Sequence, residues 1–489
     1  MTRTGSEYIE SLRDGREVWY DGERVKDITV HPAFHNTIRS IAGLYDRTHE
    51  PDLRDVLTVR APDGGRVLRA YQVPMTRMDL VAKRVAFKAW AEASFGFLGR
   101  SPDYMATAIS GFAAAPHVFT GATFDGAPNV LDFHARMARN DLFEAHTLVN
   151  PQIDRTKTPS QQEEDDLYLR VVRERDDGIV VRGAKMVGTG AVFGDEILVG
   201  TTQRLAPADA DYALSFSVPV SSPGVKFVSR ASYEDKARSV FDYPLASRFD
   251  ENDALVVYDN VFVPWENVLV YRDVDVCNSQ WWKTPAFVNF VHHGATRLWT
   301  KFEFLTGIAL LIAKANNTAK LPPVQAQIGK LMGWLNTMRS MVLALEAACE
   351  TVDGPGGPVQ PNKEISCAQL AVGPELYPQV LNEIKLLAGG GLIQLPASFQ
   401  DLLNPETVPL LRKYIRSPGC PTEERVKLFK LAWDALGSEF AGRHEHYERF
   451  YHGAPHVYLS AIVREGDTDA YERLAQTCLD GYELHEEAP

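Results

Sequence analysis

Apolar residues recur at three- and four-residue spacings through "TRMDLVAKRVAFKAWAEASFGFLG" (76–99), which lays them along one face of a helix. The stretch that follows, "GRSPDYMATAISGFAAAP" (99–116), opens a second helix: Ser101 is a good N-cap, Pro102 suits the first helical position, and Asp103 favours the positive end of the dipole. Arg100 then stands just outside the helix mouth, and Tyr104, four residues on, can reach the same side of the first turn. Before these come polar turns such as "APDGG" (61–65). From about His146 to Tyr271 the texture changes to short β-branched and aromatic runs broken by Gly, Pro and Asp: "LYLRVVRER", "GIVVRGAKMV", "DEILVGTT", "DYALSFSVPV", "GVKFVSR" and "ALVVYDNVFVPW". These predict an antiparallel sandwich or barrel. Beyond Trp281 four long amphipathic stretches follow, in "RLWTKFEFLTGIALLIAKAN", "PVQAQIGKLMGWLNTMRSMVLALEAACETV", "PELYPQVLNEIKLLAGGG" and "EERVKLFKLAWDALGSEFAGRHEHYERFY". They predict an antiparallel four-helix bundle. The expected fold is mainly α with a central β-domain: a mostly helical domain at 1–143, a β-domain at 144–275, and a helical bundle with a tail at 276–489.

Composition narrows the function classes. The chain has 489 residues, 45% hydrophobic and 24% charged, as in ordinary globular proteins. A formal charge of −13 with no Lys/Arg cluster argues against nucleic-acid or anionic-membrane partners. No apolar run reaches the roughly 20 residues of a membrane span, and the charged N-terminus lacks a signal-peptide core. A cytoplasmic location is expected. Cys277, Cys349, Cys367, Cys420 and Cys478 are scattered without a CxxC pair, so no metal site is expected and the thiols are read as free.

Motifs exclude more than they assign. No strand–GxGxxG–helix unit and no P-loop is present, so neither a Rossmann nicotinamide site nor a nucleotidase is expected. His444, His446 and His452 cluster in "RHEHYERFYHG", but the first two face about 200° apart on a helix, so a solvated face is the simpler reading than a metal site. One of His292 and His293 is expected to pack or cap. "LAGGGLIQLP" reads as a helix C-cap and turn.

Several segments together carry a family resemblance: "RTGSEYIESLRDGREVWYDGERV", "GRSPDYMA", "HTLVNPQIDR", "YDNVFVPWENVLVY", "LAGGGLIQLP" and "ERVKLFKLAWDALGSEFAGRHEHYERFYHG". In this order, and nearly from end to end, they resemble the oxygenase component of two-component, reduced-FAD-dependent phenol monooxygenases, the 4-hydroxyphenylacetate 3-hydroxylase family, which has the acyl-CoA dehydrogenase-like fold. The resemblance implies ortho-hydroxylation of a phenol with reduced FAD and dioxygen through a flavin hydroperoxide. It also implies a homotetramer built as a dimer of dimers. With no NADH site readable, a separate NAD(P)H-dependent flavin reductase is expected to supply the reduced FAD.

By motif, Arg100 and Tyr104 in "RSPDY" and His146 in "HTLVNPQIDR" look like the residues that surround the phenol hydroxyl in that family. The residue types suit the chemistry, because phenolate is far more electron-rich at the ortho carbon than phenol. An imidazole can take the phenol proton near neutral pH, and a guanidinium can stabilise the anion without deprotonating. His146 is thus the expected base, Arg100 its electrostatic partner, and Tyr104 the group that orients the ring oxygen. Thr201 and Thr202 stand where family members hold a substrate carboxylate, and "TTQRLAPADA" (201–210) is the candidate lid. For FAD the resemblance implicates His146, Leu148, Asn150, Gln152, Arg155 and Thr189, with Gly390, Gly437, Ser438, Phe440 and Arg443 as softer transfers.

Two rival readings stay beside this one. A plain acyl-CoA dehydrogenase-like flavoenzyme would share the fold but leave Arg100 and Tyr104 without a role; the related hydroxybutyryl-CoA dehydratase needs clustered cysteines that "RSPDYMATA" lacks. A non-catalytic helical-bundle interaction protein would bind no FAD.

Overall fold

The computed structural model describes residues 2–61 and 64–483. Pro62 and Asp63 of the "APDGG" turn lie outside the described residues, as do Met1 and residues 484–489. Among the described residues the first part has six α-helices, the four longest being α1 (His35–Arg47), α2 (Arg77–Ala93), α3 (Pro102–Ala114) and α4 (Ala127–Asn140). Thr76 caps α2 through a capping box with Asp79. Helix α3 starts as its residues dictate, with Pro102 in the first turn, but Ser101 spends its hydroxyl on Asp103 Oδ1 at 2.5 Å rather than on a backbone N–H.

The middle part holds two sheets. Ten strands form them, β1 (Glu17–Tyr20), β2 (Glu23–Val25), β3 (Glu144–Thr147), β4 (Arg170–Arg175), β5 (Gly178–Thr189), β6 (Glu196–Val199), β7 (Leu214–Pro219), β8 (Val225–Ser229), β9 (Asp253–Pro264) and β10 (Val268–Tyr271). One sheet runs β2-β1-β8-β9-β5-β4 and the other β10-β7-β6-β3. The sheets differ from the sequence expectation in two ways. The β1–β2 ribbon, from the helical first part, joins the larger sheet, and two pairs, β1–β8 and β3–β6, are parallel. Both parallel strands arrive from distant chain segments, so no hairpin constrains their direction.

The third part is helical: α5 (Val274–Lys283), α6 (Ala286–Ala315), α7 (Pro322–Ala347), α8 (Lys363–Ala388), α9 (Thr422–Leu436) and α10 (Glu439–Arg449). The stretch read as one last helix is two, because Gly437 ends α9 and Ser438 caps α10 by accepting the Ala441 N–H at 3.1 Å. Helix α6 is buried along most of its length, and it touches α3 so closely that a Cβ at Gly111 would press into the backbone of Ala286. The site forms where the N-terminus of α3, the end of β3 and the first turns of α6 meet.

Candidate active site

Arg100 is anchored first through its backbone. Glu251, just before β9, accepts the N–H groups of Gly99 and Arg100, both at 2.6 Å, through one carboxylate oxygen. Its other oxygen accepts Arg443 Nη1 at 3.0 Å, and the N–H of Gly190 donates to the Glu251 carbonyl at 3.0 Å. Three distant segments are thereby tied at the mouth of α3.

The Arg100 guanidinium then turns inward. Its carbon lies 4.2 Å from the Tyr104 ring centre and 4.1 Å from that of Tyr451. Nη2 donates to the Tyr451 carbonyl at 2.9 Å, while the Tyr451 hydroxyl donates to the Gly99 carbonyl at 2.8 Å. Nε and Nη1 are buried without a hydrogen-bond partner. Buried cations are normally paired with carboxylates, as Arg297 and Lys301 nearby are with Glu448. Arg100 is held by aromatic faces and one carbonyl instead, with two donors to spare.

Tyr104, one turn into α3, is buried and stacks on Phe290 of α6 at 4.6 Å and 19°. His146 of β3 lies 5.5 Å from it, and His293 meets its edge at 5.4 Å. Burial, and next the charge of Arg100, hold His146 well below the ordinary histidine pKa, so its ring is neutral; Nδ1 is buried and unpartnered. Arg100, Tyr104 and His146 are therefore in one cluster, and the loop at Gly190 packs against Arg100, where a glycine Cβ would lie 3.6 Å from the Arg100 Cβ.

Histidines that sequence patterning left undecided are part of this interior. His293 Nε2 sits 3.1 Å from Asp103 Oδ1, and His292 Nε2 lies 2.9 Å from Glu346. His444 corrects the expectation of a solvated face: it is buried between Phe97 and Phe440, with Nδ1 3.3 Å from Lys301 Nζ. Burial pushes His452 down to about 3. Tyr451 and Glu251 had no motif signal; a lone Tyr and a lone Glu in polar segments reveal nothing until the chain folds.

The other expected residues divide. Leu148 and Asn150 continue from His146, and Asn150 bridges Lys185 Nζ (2.7 Å) to Gln203 (2.9 Å). Gln152 and Arg155 are exposed, as are the apolar Val149, Ile153 and Val187, at 41%, 53% and 48%. Val149 bridges to Met186, which brings it to Val187 as an exposed apolar ledge. Thr189 and Arg443 are already engaged: Thr189 donates to Asp253 at 2.6 Å and Arg443 grips the same carboxylate at 2.7 Å. Ser438 and Gly437 form the α9–α10 junction, and Phe440 stacks on Phe97 at 5.5 Å. Gly390 lies in the turn closing α8, with nothing within 4 Å of a Cβ there. Thr201 is buried and accepts the Gln203 N–H at 3.1 Å, whereas Thr202 is exposed. The candidate lid is narrower than its composition suggested. Leu205 is pinned by two backbone bonds to Asn278, and Asp209 accepts the N–H groups of Ala206 and Ser160, both of which fix the second half of the loop.

Family models described as the N- and C-terminal parts of 4-hydroxyphenylacetate 3-hydroxylase match residues 4–270 and 277–480. The chain belongs to the 4-hydroxyphenylacetate 3-hydroxylase family. Among its relatives, a 4-hydroxyphenylacetate 3-monooxygenase oxygenase component from Pseudomonas aeruginosa is 39% identical over 98% of this chain and 93% of its own. The oxygenase component of a 4-nitrophenol 2-monooxygenase from a Rhodococcus species is 39% identical over 98% and 92%. A crystal structure of the oxygenase component HpaB with FAD and 4-hydroxyphenylacetate superposes with a TM-score of 0.93 at 34% identity, covering 98% of each chain. An archaeal 4-hydroxybutyryl-CoA dehydratase shares the fold alone, with a TM-score of 0.89 at 22% identity over 100% of this chain and 97% of its own. The order of helical first part, two-sheet middle part and helical third part is thus that of HpaB, and the dehydratase shares it.

Proposed function

We propose that this protein is the oxygenase component of a two-component monooxygenase that hydroxylates a phenol ortho to its hydroxyl, using reduced FAD and dioxygen. The observation that carries the reading is the buried Arg100 guanidinium with two free N–H donors and no carboxylate partner. It is an anion site in wait for a phenolate, and the α3 N-terminus adds positive potential. His146 Nδ1 is the acceptor for the phenol proton. Its depressed basicity comes from burial and from Arg100, and the arriving phenolate offsets the repulsion that Arg100 imposes on an imidazolium. Tyr104 and Phe290 present a stacked wall that orients the ring and keeps water out.

Reduced FAD, when bound, would supply the two electrons that activate dioxygen, and dioxygen would supply the electrophilic oxygen. Val149, Ile153 and Val187 would carry its ring, with Gln152 and Arg155 as polar flanks, while Thr189 and Arg443 act through Asp253 and Glu251 to shape the loop behind Arg100. Reduced FAD arrives from a separate NAD(P)H-dependent reductase. A homotetramer in the cytoplasm is the assembly we propose, and among the described residues no helix is long and apolar enough to cross a membrane. The test is anaerobic reduction of FAD by dithionite, mixing with enzyme, oxygen and a phenol panel, and mass detection of a product one oxygen heavier. Oxygen uptake with no such product from any phenol, in fully folded protein, would refute the reading.

A further inference from the structure

The sheet face that carries His146 continues past it to a second group of unpaired donors. In-register residues of adjacent strands share a face, and His146, Leu198 and Ser217 form one such row. Two residues further along, just past the last paired positions, come Leu148, Gly200 and Ser215, about 6.6 Å away at strand spacing and on the scale of a para-substituted benzene ring. A Cβ at Gly200 would lie 3.2 Å from Leu148 Cδ2 and 3.7 Å from both Ser215 Oγ and Trp281 Cζ2, so these side chains converge on that glycine. Cζ2 belongs to the indole edge that carries Nε1. Both Trp281 Nε1 and Ser215 Oγ are buried with no hydrogen-bond partner. Trp281 stacks on Phe290 at 5.6 Å, and Phe290 on Tyr104, so a file of aromatic rings leads from Arg100 to these donors.

Thr201 accepts the Gln203 N–H and Thr202 is exposed. We propose that Trp281 Nε1 and Ser215 Oγ receive the para substituent of the phenol, and that this substituent ends in an uncharged acceptor oxygen, a carbonyl or a nitro group. The inference rests on the phenol reading above. Both donors are neutral, and the buried Lys185, whose basicity burial lowers to about 7, gives one of its three N–H donors to Asn150 at 2.7 Å. A carboxylate would surrender its water here for two neutral donors, whereas a carbonyl or nitro oxygen gives up far less.

The experiment compares wild type, Trp281→Phe and Ser215→Ala with chemically reduced FAD and four phenols: 4-hydroxyphenylacetamide, 4-nitrophenol, 4-hydroxyphenylacetate and 4-propylphenol. Wild type is expected to turn over the amide and the nitrophenol with kcat/KM about tenfold above the other two. Each variant is expected to lose that advantage through KM while 4-propylphenol stays within about twofold, which also shows that the variants fold. Equal losses on all four phenols, or a wild-type preference for the carboxylate, would overturn the receptor while leaving the hydroxylase reading intact. Failure of wild type to hydroxylate any of the four would overturn both.

Discussion

Glu251 holds the backbone of Arg100 at 2.6 Å while its second oxygen is gripped by Arg443 at 3.0 Å. The two arginines therefore share one carboxylate, yet only Arg443 forms a side-chain ion pair with it. Removing Glu251 leaves Arg443 paired with Asp253 alone and leaves the N–H groups of Gly99 and Arg100 without an acceptor. Glu251→Ala is expected to lower unfolding free energy by about 2–4 kcal/mol, chiefly for those two buried donors. Urea denaturation followed by far-ultraviolet circular dichroism checks it; a loss under about 1 kcal/mol would show that the carboxylate is dispensable.

Arg100 itself tests the anion site. Arg100→Met keeps an unbranched, apolar stem between Tyr104 and Tyr451 and deletes both free donors. Loss of an oxyanion donor costs about 10²–10³ in rate, and a drop of that size in kcat/KM is expected with reduced FAD supplied chemically. Arg100→Lys should recover little, because a compact ammonium cannot reproduce the forked donors or the stacking between two rings. Recovery to near wild-type rate would mean that charge alone suffices.

Burial sets the sign of the pH response. His146, His292, His444 and His452 all have basicity lowered in the folded protein, chiefly by burial. The unfolded chain therefore binds more protons below pH 6.5, and each histidine withdraws stability as pH falls through that value, by up to about 1.4 kcal/mol per unit. Asp141 and Asp434, pushed up to about 6 by burial, act in the opposite direction. A difference measurement isolates one group. His444→Phe, between Phe97 and Phe440, should lose less stability than wild type between pH 7.5 and 5.5, measured by urea midpoints. Parallel losses in the two proteins would show that His444 protonates as readily in the folded protein as in the unfolded chain.

The helices and most strands were legible because their signals are local: the Pro102 start of α3, the periodicity of α2, and the β-branched runs that became β5 and β9. The four-helix pattern blurred at Gly437–Ser438, where a cap replaces one turn, and it gave no sign of α5. The parallel pairings of β1 with β8 and β3 with β6 carry no local signal, since each joins segments far apart in the chain. At the site, Arg100, Tyr104 and His146 could be named from motifs. Glu251, Tyr451, His293 and Trp281 could not, because their roles exist only through contacts with other segments. Thr189 and Arg443 were named from motifs too, and what the motifs did not show is that the fold ties both to Asp253.

Val187 separates the requirements of the backbone from those of the ledge. It sits within a bulge of β5, where Met186 and Val187 together face Leu255, and it adopts φ 56. A β-branched residue in the left-handed region is strained by about 1–2 kcal/mol, which glycine relieves. Yet Val187 is 48% exposed beside Val149, so no packing demand in the monomer requires a valine. If the ledge carries the flavin ring, Val187→Gly should raise unfolding free energy by about 1 kcal/mol and weaken reduced-FAD binding through lost apolar contact, about 1.5 kcal/mol for a buried valine. Urea denaturation gives the first quantity and anaerobic calorimetry the second. Stabilisation with unchanged FAD affinity would move the flavin off this ledge while leaving the strain argument standing.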